Sequence, residues 1–328
     1  MKFHALEGQG LTRWTQPAFE KGAFYFGFKT VHVPVERRLG MRPDIAEVRK
    51  RITRNTVLIV ASAPAYPHVV VDPIEGMGNV AEEFGLPLHV DACYGGFALP
   101  WLERLGHDVG LWDFRTPAVT SISADFHKYG YAAKGASAIV WRTEGLRQHQ
   151  YYSYSKWPGG IYTSPSMAGT RPGGNVACAW AAMRHLGQRG YREATEEVRG
   201  AVEEMVAGVR AAGLRLVAEP QSLGFAFEAA PGKGPDILAV ADAMEEKGWK
   251  MERQNAPACL HCTVMPMHVK SAGRFAADLA KSVAEVRRGG RDPKAGTAAM
   301  YGMMAAIPDK TVVDDFTKKV LSAIYTYG

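Results

Sequence analysis

Long apolar runs are missing from this chain of 328 residues. No stretch approaches the ~20 apolar residues that a membrane-spanning helix needs. The first residues, MKFHALEGQGLTRW, contain no apolar core of the kind that secretion signals carry. We therefore expect no membrane segment in this chain, no secretion and a cytoplasmic location.

The excess of positive over negative charge is also small. The chain has 39 Lys and Arg against 33 Asp and Glu, for a net charge of +6. Because the basic residues form no long block, we expect no nucleic-acid partner. A small positive balance suits an anionic cofactor or substrate. With 47% hydrophobic residues, the chain is long enough for one large domain and a smaller one.

Cysteine is rare, with only Cys93, Cys178, Cys259 and Cys262. So few thiols argue against a disulfide framework and fit a reducing compartment. Cys259 and Cys262 form a C-x-x-C pair, which is compatible with a redox or zinc site. No second pair completes a zinc site, and no thioredoxin-like βαβ pattern surrounds this one. We therefore expect two small apolar residues on a strand.

The first part of the chain alternates strand-like and helix-like segments. Apolar runs predict strands at 56–64, 86–96, 118–125 and 136–142, and a helix that ends at Gly85. This alternation predicts an α/β fold with a mostly parallel sheet flanked by helices. The Gly-, Pro-, Ser- and Tyr-rich segment 151–175 is predicted to be a long functional loop.

From Val176 the pattern becomes helical, with a break predicted at Gly187 and Gly190 and a stop at Gly213. Shorter strand and helix patterns follow, which predict a small α+β domain. We expect residues 1–190 to belong to the large domain and residues 191–328 to form the small one.

One lysine stands just after a predicted strand, in SADFHKYGYAAKGAS. Lys128 follows that strand, and Asp91 ends the strand before it. Ligands of parallel sheets bind at the carboxyl ends of the strands, so we expect both side chains to face one pocket. The small residues Ala92, Gly95 and Gly96 are expected to leave room there for a ring.

A lysine that forms a Schiff base needs an aldehyde cofactor, an electron sink and an anion site. Pyridoxal phosphate combines all three, and a carboxylate such as Asp91 would keep its ring nitrogen protonated. The ordinary alternative for Lys128 alone is a surface lysine, and for Asp91 alone it is an acid in a turn. The presence of both residues at the ends of neighbouring predicted strands favours a functional pair. Ser123 and Asp125 lie close to Lys128 in the sequence. For His127 two alternatives stay open: a contact with the cofactor phosphate, or a histidine of the core.

Five stretches carry a resemblance to a known family: RNTVLIVASAPAYPHVVVDPI, HVDACYGGF, SISADFHKYGYAAKGAS, GGIYTSPSMAGTRPGG and PKAGTAAMYGMMAAI. In this order the chain resembles the group II pyridoxal-phosphate-dependent decarboxylases, and within them the sphingosine-1-phosphate lyases. The resemblance implies a fold of the fold-type I transferase kind, pyridoxal 5'-phosphate as the cofactor, and a homodimer. It also implies retro-aldol cleavage of a phosphorylated long-chain amino alcohol to an aldehyde and phosphoethanolamine.

The resemblance implies roles for individual residues. Lys128 matches the Schiff-base lysine, Asp91 the partner of the ring nitrogen, and His127 the histidine that contacts the cofactor phosphate. Ser123 is expected to belong to the same set of cofactor-binding residues. Lys134 matches a lysine that serves the substrate phosphate.

Further matches lie nearer the C-terminal end. Gly169 and Thr170, in AGTRPGG, match a loop that approaches the cofactor of the neighbouring subunit. Tyr301 matches a tyrosine close to the reacting centre.

Two departures from the family pattern stand out. Gln16, in TQPAFEKG, replaces a histidine that stacks on the cofactor ring; an amide can lie over a ring but cannot act as an acid or base.

The family also has a Gly-Gly-Thr-Glu-Ser turn whose amides bind the cofactor phosphate, and this turn precedes the segment of Gln16. We expect that N-terminal part to be missing from the sequence. Eukaryotic relatives carry a membrane anchor there. The alternatives to a lyase are an amino-acid decarboxylase and a non-catalytic pseudoenzyme.

Overall fold

The computed structural model describes residues 7–12, 15–232, 234–289, 303 and 307–327. The strands of this part of the chain are β1 Glu7–Thr12, β2 Lys29–Val33, β3 Val35–Glu36, β4 Arg42–Pro43, β5 Leu58–Ser62, β6 Leu88–Ala92, β7 Val119–Ala124, β8 Ala138–Trp141, β9 Tyr152–Tyr154, β10 Tyr162–Ser164, β11 Arg215–Leu216, β12 Gly224–Glu228, β13 Glu252–Asn255 and β14 Ala258–Thr263. The helices are α1 Ala18–Phe26, α2 Ile45–Arg51, α3 Ile74–Phe84, α4 Leu99–Arg104, α5 Glu144–Gln148, α6 Gly173–Ala211, α7 Ile237–Glu245, α8 Ala272–Arg287 and α9 Lys310–Tyr327.

The main sheet has six strands in the order β2-β1-β5-β6-β7-β8. Its strands are parallel except for β8, which runs antiparallel to β7 at the edge. Helix α3 contacts β5 and β6, while α1 and α2 contact β2. The α/β architecture predicted from the sequence is therefore confirmed. The strands predicted at 56–64, 86–96, 118–125 and 136–142 are β5, β6, β7 and β8.

The runs of β5 and β6 become central strands because both of their faces are covered. Every residue of β6 is buried, as are the last four residues of β5. A strand buried on both faces reads as a nearly continuous apolar run, the pattern typical of parallel sheets. Helix α3 ends where the sequence predicts, at Gly85, whose φ of 63° closes the helix in the left-handed conformation.

The segment 151–175 contains more regular structure than predicted. Strands β9 and β10 form an antiparallel pair within it, with Tyr154 opposite Tyr162. Helix α6 begins at Gly173, three residues before the expected start at Val176. The predicted break is confirmed at Gly187, where φ is 57° and ψ is −170°.

The described residues fall into two compact units. The first comprises the chain up to Val202 with Ala218–Phe225 and Thr263–Val269, and the second comprises the rest. The second unit carries a four-stranded sheet in the order β11-β12-β14-β13. The division at residues 190 and 191 into domains stays a prediction.

The C-x-x-C pair lies on β14, as expected. Cys259 and Cys262 are buried and neither forms a disulfide, and residues three apart on a strand point to opposite faces. Burial raises the pKa of the Cys262 thiol, which keeps it protonated. Within the described ranges, no helix combines the length and apolarity needed to cross a membrane.

The turn after β6 packs tightly against the protein. A Cβ added at Gly95 would lie 2.2 Å from the Ala63 carbonyl oxygen, and one at Gly96 would lie 2.7 Å from the Ala124 Cβ. Ala92 is fully buried. The expectation that these small residues leave room for a ligand ring is therefore wrong: they allow β6 and its turn to approach their neighbours.

This packing makes Gly95 intolerant of a side chain. We expect Gly95→Ala to lower the free energy of unfolding by about 1–3 kcal/mol, because the nearest atom is backbone and cannot rotate away. Urea unfolding followed by circular dichroism measures the change.

Gly22 is the matched control. It lies within α1, and a Cβ there meets nothing within 4 Å. Gly22→Ala should be neutral, or stabilising by up to about 1 kcal/mol. Equal effects of the two substitutions would contradict the packing argument.

Candidate active site

A cavity of about 670 Å³ runs along one face of β6 and β7, from Pro87 just before β6 to Lys128 beyond the end of β7. It brings together four of the residues singled out in the sequence, Gln16, Asp91, Ser123 and Lys128. Its other lining residues include Phe19, His89, Cys93, Ser121 and Asp125. The expectation that Asp91 and Lys128 face one pocket is confirmed.

Asp91 is a buried carboxylate at the end of β6, with 5% of the residue exposed. Its Oδ1 accepts two hydrogen bonds, from the Ser123 hydroxyl at 2.8 Å and from the Cys93 backbone N–H at 3.0 Å. A buried carboxylate needs such donors because desolvation otherwise disfavours its charge. Both bonds fix the orientation of the carboxylate at the cavity wall.

Lys128 reaches the same cavity from the turn after β7. Its Nζ lies 3.0 Å from Asp125 Oδ2 and 3.1 Å from Cys93 Sγ. Burial lowers the pKa of Lys128, but Cys93 and Asp125 outweigh this effect and raise the pKa above its ordinary value. Burial, with a contribution from Asp91, raises the pKa of the Cys93 thiol to about 12. At neutral pH the thiol is therefore protonated, and Asp125 is the anionic partner of the Lys128 ammonium.

The turn that carries Lys128 is fixed by its own backbone and by α6. The N–H of Ala132 donates to the Phe126 carbonyl at 2.9 Å, and the Tyr191 hydroxyl donates to the Gly130 carbonyl at 2.8 Å. A Cβ at Gly130 would lie 2.5 Å from the Phe126 carbonyl oxygen. The lysine is thus presented by a tight, tethered turn.

His127 points its ring into this turn. Its Nδ1 lies 2.6 Å from the carbonyl oxygen of Ala136 and donates to it, and its Nε2 lies 3.6 Å from Asp125 Oδ2. His127 is not among the residues that line the cavity of Lys128. The phosphate contact expected of it stays a prediction.

Three of the remaining sequence candidates do not line the cavity of Lys128. Gly169 and Thr170 line a second cavity of about 690 Å³ between β10 and the start of α6. Lys134 is exposed and lines neither of these two cavities. Tyr301 lies outside the described residues. The roles expected of all four stay predictions.

Sequence reasoning missed His89 and Cys93, and it named Asp125 without a role. His89 stands two residues before Asp91 on β6, so both side chains share one face of the strand. Its ring lies 5.6 Å from that of Phe19, centroid to centroid. Burial lowers the pKa of His89, and the charge of Asp91 offsets this only in part. The alternation in LHVDA was the available signal.

No metal centre competes with this interpretation in the part of the chain that is described. No group of three or more His, Cys, Asp or Glu side chains there is placed to hold a metal ion. The chemistry available at the site is that of an amine, a buried carboxylate and hydroxyl groups.

Solved structures share this architecture. The sphingosine-1-phosphate lyase of Burkholderia pseudomallei superposes with a TM-score of 0.82 at 39% identity, over 86% of this chain and 64% of its own. The glutamate decarboxylase of Lactobacillus brevis superposes with a TM-score of 0.75 at 20% identity, over 87% and 67%, which shows the shared fold. The sheet, with a lysine and a carboxylate at one cavity, has the architecture of the fold-type I pyridoxal-phosphate-dependent enzymes.

The sequence comparisons narrow this class to a family. Residues 13–228 match the family described as the pyridoxal-dependent decarboxylase conserved domain, and the chain belongs to that family. It is 38% identical to the sphingosine-1-phosphate lyase of Arabidopsis thaliana over 94% of this chain and 56% of the relative. It is 35% identical to that of Saccharomyces cerevisiae over 100% and 57%. The chain thus spans a little over half the length of these relatives.

The contact with Asp125 predicts how Lys128 reacts. We expect Asp125→Asn to lower the pKa of Lys128, because the substitution removes the anion that stabilises the ammonium form. At any pH below that pKa, more of the amine is then neutral. Labelling of Lys128 by an amine-reactive reagent, followed by mass spectrometry, should be about tenfold faster for each unit by which the pKa falls.

An exposed lysine provides the internal reference for this measurement. Lys134 should be labelled at the same rate in both proteins, because it is exposed and forms no ion pair with Asp125. If Lys128 is labelled no faster in the variant, the ion pair does not control its protonation.

Proposed function

We propose that the complete protein is a pyridoxal-phosphate-dependent carbon–carbon lyase that resembles sphingosine-1-phosphate lyase. It cleaves a phosphorylated long-chain amino alcohol to an aldehyde and phosphoethanolamine. The observation that carries this proposal is one cavity that holds both Lys128 and the buried carboxylate of Asp91. The similarity to sphingosine-1-phosphate lyases over 94% of the chain supports the choice of substrate.

The residues present fit pyridoxal phosphate. The cavity of about 670 Å³ lies within the range of roughly 300–1,000 Å³ that small-ligand sites occupy. An amine and a carboxylate stand at its wall, as the aldehyde and the ring nitrogen of this cofactor require. When bound, the cofactor supplies an aldehyde for the lysine and an electron sink for the bond that breaks.

Each residue at the cavity has a distinct task in this proposal. Lys128 provides the amine that holds the cofactor. Asp91 holds the proton of the ring nitrogen, and Ser123 fixes the carboxylate by donating to it. A buried, charge-assisted hydrogen bond of this kind is among the stronger ones in proteins.

Gln16, which lines the same cavity, is proposed to cover the ring. Its side-chain oxygen accepts a hydrogen bond from the Ala18 backbone N–H, so the amide is held at the start of α1, at the cavity wall. An amide neither gains nor loses a proton near neutral pH, so it cannot act as an acid or a base. Gln16 therefore serves as a cover and leaves proton transfer to other groups.

The phosphate contacts and the reacting-centre tyrosine are part of the same proposal. His127 would bind the cofactor phosphate, Lys134 the substrate phosphate, and Tyr301 would stand near the reacting bond. These three assignments are supported by the family resemblance of HKYGYAAKG and MYGMM.

A homodimer is also proposed. Gly169 and Thr170 line a cavity separate from that of Lys128, which suits residues that serve a neighbouring subunit. Large apolar side chains beside them are exposed, with Val176 at 71% and Trp180 at 63%. Exposed apolar clusters of this kind are typical of interaction surfaces. A cytoplasmic location completes the proposal, supported by four cysteines that form no disulfide.

Cofactor retention tests the proposal directly. After incubation with pyridoxal phosphate and dialysis, we expect the chain to keep a protein-bound visible absorbance band, because the Lys128 amine holds the aldehyde covalently. Lys128→Ala should lose the band. A band of equal strength in the variant would exclude Lys128 as the attachment site, and no band in either protein would favour a non-catalytic chain.

Lys134 separates lyase from decarboxylase chemistry. We expect Lys134→Ala to keep the absorbance band and to raise the KM for a phosphorylated amino alcohol about tenfold or more, because one charge-assisted phosphate contact is lost. Aldehyde and phosphoethanolamine are the products to quantify. Release of carbon dioxide from an amino acid, insensitive to Lys134→Ala, would instead indicate an amino-acid decarboxylase.

A further inference from the structure

Four side chains on β6 and β7 form a continuous row of hydrogen bonds. The His89 ring places Nδ1 at 2.8 Å from the Ser121 hydroxyl and Nε2 at 3.3 Å from the Ser123 hydroxyl. Ser123 then donates to Asp91 Oδ1 at 2.8 Å. The row thus begins at Ser121 and ends at the carboxylate proposed to bind the cofactor ring.

The register of the sheet produces this row. His89 stands opposite Ser121, and Asp91 stands opposite Ser123, in the parallel pairing of β6 with β7. Residues two apart on a strand share a face, so all four side chains lie on one side of the sheet. The row is therefore a property of the backbone pairing and does not depend on a mobile loop.

The direction of every bond follows from counting protons. A carboxylate can only accept, so the single hydroxyl proton of Ser123 goes to Asp91. Ser123 must then accept from His89, which requires the proton of the neutral ring to be on Nε2. Nδ1 is left as an acceptor, and the Ser121 hydroxyl donates to it.

The surroundings of His89 support a neutral ring. The residue is only 8% exposed, and the Phe19 ring covers it from α1. Burial lowers the pKa of His89, and it outweighs the charge of Asp91, which raises that pKa. A neutral imidazole with a fixed tautomer is a directional donor, which suits a positioning role.

We propose that His89 is a positioning residue, which acts through Ser123 to hold the Asp91 carboxylate in the orientation that the cofactor ring nitrogen needs. Its Nε2–H fixes the Ser123 hydroxyl oxygen, so the hydroxyl proton can point only at Asp91. Ser121 fixes the tautomer from the other side of the ring. The cofactor-related part of this proposal rests on the proposed function, whereas the row itself does not.

The row can be tested without the cofactor. In the chain labelled with ¹⁵N-histidine, we expect His89 to show the Nε2–H tautomer near neutral pH, with its signals assigned from their loss in His89→Gln. Ser123→Ala should shift these signals, because Nε2–H loses its acceptor. Ser137→Ala, which removes a hydroxyl that donates to Asp125, is the matched serine control and should leave them unchanged. An Nδ1–H tautomer, or signals insensitive to Ser123→Ala, would overturn the row.

The positioning role is tested by cofactor affinity. We expect His89→Leu and Ser123→Ala each to weaken pyridoxal phosphate binding about tenfold, which corresponds to ~1.4 kcal/mol. The double variant should bind no more weakly than Ser123→Ala alone, because both residues act through one bond. His89→Gln should restore most of the affinity, since its amide N–H can still donate to Ser123.

Two outcomes of the affinity measurement oppose the proposal. Additive losses in the double variant would show that His89 and Ser123 act independently. Equal losses in His89→Gln and His89→Leu would show that packing matters and the donor does not. Melting curves of each variant exclude unfolding as the cause. If the wild-type chain itself binds no cofactor, the proposed function fails for this chain, and the histidine spectra alone decide whether the row exists.

Discussion

The burial of the Asp91 carboxylate is the constraint on which the rest of the site depends. An ionised carboxylate removed from water costs several kcal/mol unless hydrogen-bond donors replace the solvent. Here the donors are the Ser123 hydroxyl on the neighbouring strand and the Cys93 N–H of the following turn. The pairing of β6 with β7 and the tight turn at Gly95 are therefore electrostatic requirements as well as packing features.

Lys128, the second group of the site, is subject to two opposing requirements on its charge. A lysine that attacks an aldehyde must be neutral, yet the carboxylate of Asp125 stabilises its ammonium form in the free protein. Since Ser137 also donates to Asp125 at 2.8 Å, that carboxylate is fixed in place. The amine of the free protein is thus kept charged by Asp125, and it is solvated in part.

The two cavities of the first unit have different roles in the proposed function. The cavity of Lys128 contains the groups that would hold the cofactor ring, whereas the cavity of Thr170 is bordered by exposed apolar side chains such as Trp180. The chain spans 56% of the Arabidopsis relative. Exposed apolar side chains of this kind are typical of interaction surfaces.

The sequence by itself determined the features that depend on neighbouring residues. The apolar runs of β5 to β8, the helix end at Gly85 and the break at Gly187 follow from local burial and backbone preferences, and motif identity singled out Asp91 and Lys128. Only the tertiary structure decided what those residues touch. His89 meets Ser121 and Ser123 across 32 and 34 residues of chain, because strand register, which no local pattern encodes, places them on one face.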